Sequence, residues 1–164
     1  MRDEKLYWFS GQHIAYEIEM CARAAHLVLA FAPERHSVTN ALLESYALHL
    51  RNLIEFIYRK PRLDDVNAIH YVCDREAWIA ARGEVPAYLK VVKDRADKQV
   101  AHLTKKRFSG DAPEKQWSPV EEIGALMPSL QVFMERARPE LLHANVANAL
   151  AELAALVQPR TKEN

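Results

Sequence analysis

VTNALLESYALHLRNLIEFIYRK, residues 38–60, decides the fold. Its apolar side chains recur every three or four residues, which is the spacing of one face of an α-helix. Ser37 precedes the stretch as a credible N-cap, and Pro61 ends it. The stretch therefore predicts a long helix that lines the core with one continuous stripe: Leu43, Tyr46, Ala47, Leu50, Leu53, Ile54 and Ile57.

Helical spacing continues on both sides of this stretch. A first helix is expected from Ser10 or Gly11 up to Pro33, with its apolar face formed by Ile14, Ile18, Cys21, Ala25, Val28 and Leu29. A third long helix is expected to start at Pro86 and to contain AYLKVVKDRADKQVAHLTKKR, residues 87–107. Its core stripe would be Leu89, Val92, Ala96, Val100 and Leu103.

Prolines and a capping motif mark the last two helices. Ser118 and Glu121 form a capping-box start for residues 118–137, and Pro128 is expected to kink or split that helix. Pro139 is expected to open an alanine-rich final helix that ends near Pro159. Close packing of such a helix suits the bundle or a second copy of the chain, and on that ground a homodimer is expected.

The fold class follows from these segments. Residues 62–85 are less regular and predict short helices, and no segment of useful length has the two-residue period of a strand. We therefore expect a single domain over residues 1–164, all-α, built as an antiparallel bundle of four to five long helices with a short helical insertion.

The net charge gives no hint of a nucleic-acid or membrane partner. The 164 residues are 49% hydrophobic and 27% charged, and 22 basic residues balance 22 acidic ones. The N-terminus has no apolar core of signal-peptide length, and the most apolar run is too short and too polar to cross a bilayer. We expect a cytoplasmic protein without a membrane partner, whose Cys21 and Cys73 are buried thiols in a reducing compartment.

Metal and cofactor motifs are scarce. A di-iron bundle needs two Glu-x-x-His motifs, and the chain has one, Glu140 to His143. No two of the seven histidines lie three or four residues apart, and nucleotide-binding glycine patterns are absent. The sequence thus indicates no metal and no cofactor, and a small-molecule or metal site in the bundle interior has the least support.

Arg95 and His102 are the candidate catalytic pair. Seven residues are almost two helical turns, so both side chains lie on one line of the third long helix, together with Val91 and Lys98. This line is about 100° from the centre of the apolar face. It should therefore lie at the edge of the core, where a groove or a dimer contact forms.

The same segment concentrates positive charge. Asp94 and Asp97 are the acidic residues among seven cations: Lys90, Lys93, Arg95, Lys98, Lys105, Lys106 and Arg107. Such a patch attracts phosphate-bearing ligands, although a solvated helix face has the same composition. Histidine can take the proton of a ribose 2′-hydroxyl, and arginine can hold the adjacent phosphate. Metal-independent RNA cleavage is the chemistry that this pair would support.

These residues resemble the motif of the HEPN superfamily, in which arginine is followed after four to six residues by histidine. Arg95 and His102 match it, with six residues between them. DKQVAHLTKKR is similar to the motif-bearing helix and SYALHLRNLIEFIY to the preceding core helix, so that the resemblance covers roughly residues 37–136. Members are small helical bundles, commonly dimeric, and many are metal-independent ribonucleases.

The resemblance implies roles for the pair and for nearby lysines, and one neighbouring residue departs from the family pattern. It implies His102 as the proton-transfer group and Arg95 as the phosphate clamp, with Lys98, Lys105 and Lys106 as substrate-binding residues. The chain departs from the family at Ala96, where members commonly have Asn, Asp or His. This departure favours a member that binds RNA without cutting it.

Two further features keep alternatives open. Arg51 and Asn52 would join the same groove if their helix packs beside the third one, or they would make interhelical hydrogen bonds. A second match to the spacing, Arg138 to His143, has Arg138 outside the helix that Pro139 is expected to start. The competing hypothesis is a non-catalytic helical interaction module that forms a dimer.

Overall fold

A computed structural model describes residues 2–31, 37–98 and 117–158. In this part of the chain the regular elements are seven α-helices: α1 (Asp3–Phe9), α2 (Ala15–Phe31), α3 (Ser37–Tyr58), α4 (Arg75–Arg82), α5 (Ala87–Ala96), α6 (Pro119–Arg136) and α7 (Ala144–Ala155). The sole β feature among the described residues is an isolated bridge between Val72 and Ala137. The all-α prediction is confirmed.

Helix α3 lies at the centre, as its apolar stripe predicts. Six of the seven stripe residues are buried, and Leu43, near the start of the helix, is half-buried. Glu17 near the start of α2 hydrogen-bonds Asn52 late in α3, so these two neighbours run antiparallel. Helix α5 packs against both α3 and α6. One hydrophobic cluster takes residues from all seven helices.

The N-terminal helix begins earlier than expected, at Asp3 instead of Ser10 or Gly11. Helices α1 and α2 are joined without a break by a π-helical turn, Ser10–Ile14. The hydroxyl of Ser10 donates to the carbonyl of Tyr7 at 2.7 Å and accepts the backbone N–H of His143 at 2.8 Å. The π turn brings Ser10 and Gly11 against the N-terminus of α7. Ser10 and Gly11, which the sequence predicts as a helix start, therefore lie inside a continuous helix.

Three expectations for the C-terminal half need correction. Helix α6 is not split at Pro128, because buried residues on both sides of the proline, such as Ile123 and Phe133, stabilise it by packing. The helix starts after Ser118, as expected, but the Ser118 side chain makes no capping hydrogen bond. Pro139 opens a 3₁₀ turn, Pro139–Leu141, and α7 starts only at Ala144.

The insertion between α3 and α5 consists of short helical pieces, as predicted. It contains a 3₁₀ turn, Ala68–His70, and α4. Asp74 caps α4 by accepting two backbone N–H groups at 2.9 Å. Gly83 ends α4 with φ of 66°, a conformation that favours glycine. Trp78 of α4 is buried against Phe133, which attaches the insertion to α6.

Two residues expected in the core are exposed. Leu29 is 44% exposed on the far side of α2. Cys73 is exposed because it precedes α4 in the loop, whereas Cys21 is fully buried. No helix within the described ranges has both the length and the apolarity that crossing a bilayer requires.

The contact between the π turn and α7 predicts unequal effects of two glycine substitutions. A Cβ at Gly11 would lie 2.7 Å from Cγ and 2.9 Å from Cβ of His143, whereas one at Gly124 would meet Val157 at an ordinary 4.0 Å. We expect Gly11→Ala to lower the free energy of unfolding by about 1–3 kcal/mol. Gly124→Ala, inside α6, should be neutral or stabilising by up to about 1 kcal/mol. Urea denaturation of both variants checks this, and equal effects would contradict the close packing.

Candidate functional site

Arg95 is buried in the last turn of α5. It is 9% exposed, its Cζ lies 5.1 Å from the ring centroid of Trp117, and its Nη1 lies 3.5 Å from Oε1 of Glu122. The helical wheel placed this side chain at the edge of the core, and that expectation is wrong. Because α5 packs against both α3 and α6, its buried arc extends beyond the apolar stripe and includes Arg95.

Glu122 of α6 is the acidic partner, and it is fully buried. The hydroxyl of Tyr46 on α3 donates to Oε2 of Glu122 at 2.8 Å. Burial raises the pKa of Glu122 above its ordinary value, while the Tyr46 hydrogen bond and the Arg95 charge act in the opposite direction. The guanidinium of Arg95 is thus paired with an internal carboxylate and lies against the ring of Trp117.

Of the other residues proposed to bind or cleave RNA in this segment, the structure describes Lys98. Lys98 is exposed, and its Nζ lies 4.0 Å from Asp94. His102, Lys105 and Lys106 lie outside the described residues. The structure therefore places one member of the proposed catalytic pair, and a common cleft for Arg95 and His102 stays a prediction.

Arg51 belongs to an ion-pair network between α3 and α5. Its Nε donates to Asp97, and its Nη2 lies 3.3 Å from Glu55. Lys93 crosses the same interface, 2.6 Å from Asp97 and 3.3 Å from Glu55. Partial burial alone would raise the pKa of Asp97, but hydrogen bonds from Lys93 and Arg51 lower it below its ordinary value. The charged carboxylate of Asp97 is therefore offset by Lys93 and Arg51 within the fold.

Asn52 makes an interhelical hydrogen bond. Its Nδ2 donates to Oε2 of Glu17 at 3.1 Å, and Nδ1 of His49 lies 2.7 Å from the same oxygen. His49 is 7% exposed and packs edge-on against Tyr16. Of the two interpretations of Arg51 and Asn52, interhelical bonding is therefore the one that the structure shows.

A cavity of about 360 Å³, lined by both polar and apolar side chains, adjoins these contacts. It lies between the π turn, the start of α2, the end of α3 and the loop at residues 64–67. Its carboxylates come from Glu17, Glu55, Asp64 and Asp65. Two local spacings in the sequence belong to this cavity, since His13 and Glu17, and likewise Glu55 and Arg59, are four residues apart. The remaining residues are separated along the chain, and only tertiary packing assembles them.

The histidine motifs near the C-terminus have structural roles. Arg138 pairs with Asp3 and, at 2.8 Å, with Glu140, while His143 caps α7 by accepting the Asn145 N–H at 3.2 Å. Hydrogen bonding to Arg138 lowers the pKa of Glu140. Across the described residues, no cluster of three or more His, Cys, Asp or Glu side chains is arranged to hold a metal ion.

Comparison of the chain with protein-family models, with curated proteins and with solved structures finds no match. What the site does must accordingly be argued from its own residues.

The buried pair predicts a pH-dependent cost of removing Arg95. With its raised pKa, native Glu122 keeps its proton to higher pH than the unfolded chain does, so stability falls as pH rises from 4.5 to the raised value. Removing Arg95 would raise the pKa of Glu122 further, so the pH range over which stability falls would extend to higher pH. We expect Arg95→Met to cost about 3–5 kcal/mol at neutral pH and much less near pH 4.5, where Glu122 is protonated.

Urea denaturation of the wild type and of Arg95→Met between about pH 4.5 and 8 measures this cost. Glu122→Gln in the Arg95→Met background is the control, because it removes the group that titrates. A cost that is the same at every pH would show that Arg95 does not stabilise the charged form of Glu122.

Proposed function

We propose that the chain is a HEPN-like RNA-binding protein and that RNA binds to the basic segment of residues 98–107. The observation that carries this proposal is that the charges preceding the segment are already paired within the fold. Arg95 pairs with Glu122, and Lys93 and Arg51 pair with Asp97 and Glu55. The negative charge of Asp97, the acidic residue closest to the segment, is thus already offset.

The segment itself carries a large excess of positive charge. Lys98, Lys105, Lys106 and Arg107 are its cations, and its sequence contains no acidic residue. In a chain of zero net charge, this local excess is what would attract a polyanion. The resemblance to the HEPN superfamily favours RNA over other polyanions.

Cleavage is a separable second part of the proposal. His102 takes the proton of a ribose 2′-hydroxyl, whose oxygen attacks the adjacent phosphorus. The bond from phosphorus to the 5′ oxygen breaks, which leaves a cyclic 2′,3′-phosphate and a 5′-hydroxyl protonated by solvent. Lys98, Lys105 and Lys106 offset the developing charge, and Arg95 acts as a positioning residue that fixes the end of α5.

RNA binding is tested with a labelled single-stranded RNA in EDTA. We expect Lys105→Ala/Lys106→Ala to weaken binding and to reduce the slope of log K against log salt by about 1.4, because two phosphate contacts are lost. Lys5→Ala/Lys60→Ala is the matched control, since it removes two exposed lysines elsewhere. An equal loss in both double variants would sink the assignment of the segment.

The same RNA reports on cleavage. We expect His102→Ala to abolish formation of the cyclic phosphate while salt-dependent binding persists. His26→Ala removes an exposed histidine of α2 and should change neither readout. Cleavage by the wild type and by His102→Ala at equal rates would overturn the role of His102. Binding without cleavage in either would place the chain among the non-cutting members that Ala96 favours.

A homodimeric interaction module is the second candidate, and an apolar groove favours it. The groove, of about 1140 Å³, lies between α2 and α7, and Leu27, Leu29 and Val120 on its walls are exposed. Arg23 of α2 and Glu152 of α7 also line it. The groove thus combines an apolar surface with charges of both signs, which suits a self-complementary contact between two copies.

Light scattering tests this candidate. We expect the wild type to have twice the 18.8 kDa mass of the chain, and Leu29→Lys to be a monomer. Leu63→Lys is the control, because Leu63 is fully exposed and lies outside the groove. A wild type that is monomeric at high concentration would contradict the dimer.

A further inference from the structure

We infer that Glu122 is a proton switch for the basic segment that begins at Lys98. While Glu122 is ionised, its charge offsets that of Arg95, and when Glu122 takes up a proton, the charge of Arg95 acts on a bound polyanion. This inference rests on the proposed RNA binding and adds a mode of regulation to it. It depends on the position of Arg95, on the surroundings of Glu122 and on a difference between the two sets of ion pairs that precede the segment.

Arg95 lies about one helical turn before the segment. It belongs to the last turn of α5, and its side chain is 10% exposed. A positive charge at this position strengthens the attraction of the segment for a polyanion only if no neighbouring negative charge cancels it. Glu122 supplies that negative charge, because its Oε1 lies 3.5 Å from Nη1 of Arg95. The protonation state of one buried carboxyl therefore sets the net charge beside the segment.

The surroundings of Glu122 compensate its charge only in part. The carboxyl is fully buried, and its contact with Arg95 is a single long one, unlike the bidentate contact of a strong arginine–carboxylate pair. Burial raises the pKa of Glu122 above its ordinary value, although hydrogen bonds from the Tyr46 hydroxyl and from Ser118 and the charge of Arg95 oppose this. Glu122 therefore takes up a proton at higher pH than an exposed glutamate does.

The other titratable groups that face Glu122 in the described part of the chain keep their charge state at and below neutral pH. Burial raises the pKa of three uncharged groups around it: Cys21 of α2, Tyr46 of α3 and Tyr88 of α5. Arg95 stays charged throughout. Glu121 of α6 also acts on Glu122, but it is exposed and serves below as the matched control. The buried group of this cluster whose charge responds to pH is thus Glu122.

The second set of ion pairs that precedes the segment behaves in the opposite way. Partial burial opposes ionisation of Asp97, but hydrogen bonds from Lys93 and Arg51 outweigh it and lower its pKa below the ordinary value. Asp97 therefore stays ionised, and stays offset, over the range in which Glu122 takes up a proton. Mild acidification thus changes the charge beside Arg95 and leaves the contacts of Asp97 as they are.

Linkage gives this switch a direction and a size. The protonated form of Glu122 predominates below the raised pKa, so the segment should bind a polyanion more tightly as pH falls. By reciprocity, a bound polyanion favours the protonated form, so that binding takes up a proton. One additional cation acting on single-stranded RNA steepens the plot of log K against log salt by about 0.7, which is about fivefold in affinity at about 0.1 M salt.

The test measures binding of labelled single-stranded RNA at neutral pH in about 0.1 M salt. Glu122→Gln imitates the protonated carboxyl and keeps an acceptor for Tyr46, and we expect it to bind RNA about fivefold more tightly than the wild type, with a slope steeper by about 0.7. Arg95→Met in the Glu122→Gln background should abolish this gain. Glu121→Gln removes an equal charge from the exposed neighbour and should leave the slope unchanged.

A pH series provides a second readout, which holds even if Glu122→Gln fails to fold. Wild-type affinity should rise as pH falls toward 4.5, and Tyr46→Phe, which removes a hydrogen bond to the ionised form, should shift this rise to higher pH. The switch alone is overturned if binding depends on Lys105 and Lys106 while the wild type and Tyr46→Phe have the same pH profile. RNA binding that does not depend on these lysines overturns the proposed function, and the switch with it.

Discussion

A carboxylate without access to water, Glu122, joins three helices of this bundle. It belongs to α6, accepts a hydrogen bond from Tyr46 of α3 and pairs with Arg95 of α5. A buried charge is tolerated only where partners compensate for its lost hydration, so the three helices must keep their relative positions for the site to exist. The end of α5, and with it the start of the basic segment, depends on this contact.

A second set of polar contacts lies at the other side of α3. Arg51 and Lys93 tie α3 to α5 through Asp97 and Glu55, and Asn52 ties α3 to α2 through Glu17. These side chains are only partly exposed and form a network, so they contribute more to stability than isolated surface ion pairs do. The central helix is thus apolar toward the core and ionic along both its edges.

The sequence predicted the parts of the fold that depend on one helix at a time. The stripe of α3 follows from its own spacing, and the short helical pieces between α3 and α5 follow from the irregular pattern of residues 62–85. Arg95 shows the limit of predicting burial from one helix at a time. A helical wheel measures the angle from a helix's own apolar face, but burial is set by how many neighbours surround the helix. Arg95 is buried because α6 covers its side of α5.

Other differences have the same origin. Pro128 predicts a break in α6 from local chemistry, and packing on both sides of the proline prevents it. Ser10 and Gly11 look like a helix start, but the backbone of α7 approaches them and the helix continues as a π turn. The cavity combines three separate segments of the chain, and its recognisable spacings, His13 to Glu17 and Glu55 to Arg59, each lie within one helix. Asn67 is a residue type preferred at N-caps, and in the structure it is the N-cap of the 3₁₀ turn Ala68–His70.

The π turn lets the N-terminal helix reach α7 without losing its register. It places one extra residue in a helical turn, and because a π turn rotates less per residue, α1 and α2 keep nearly the phase of one continuous α-helix. Deleting one residue within Ser10–Ile14 would therefore leave Leu6 in the core, its carbonyl beside Tyr71 and Asp3 beside Arg138. The deletion would instead remove the bulge that carries Ser10 and Gly11 to the N-terminus of α7. The extra residue thus provides a contact with α7 and does not set the orientation of α1.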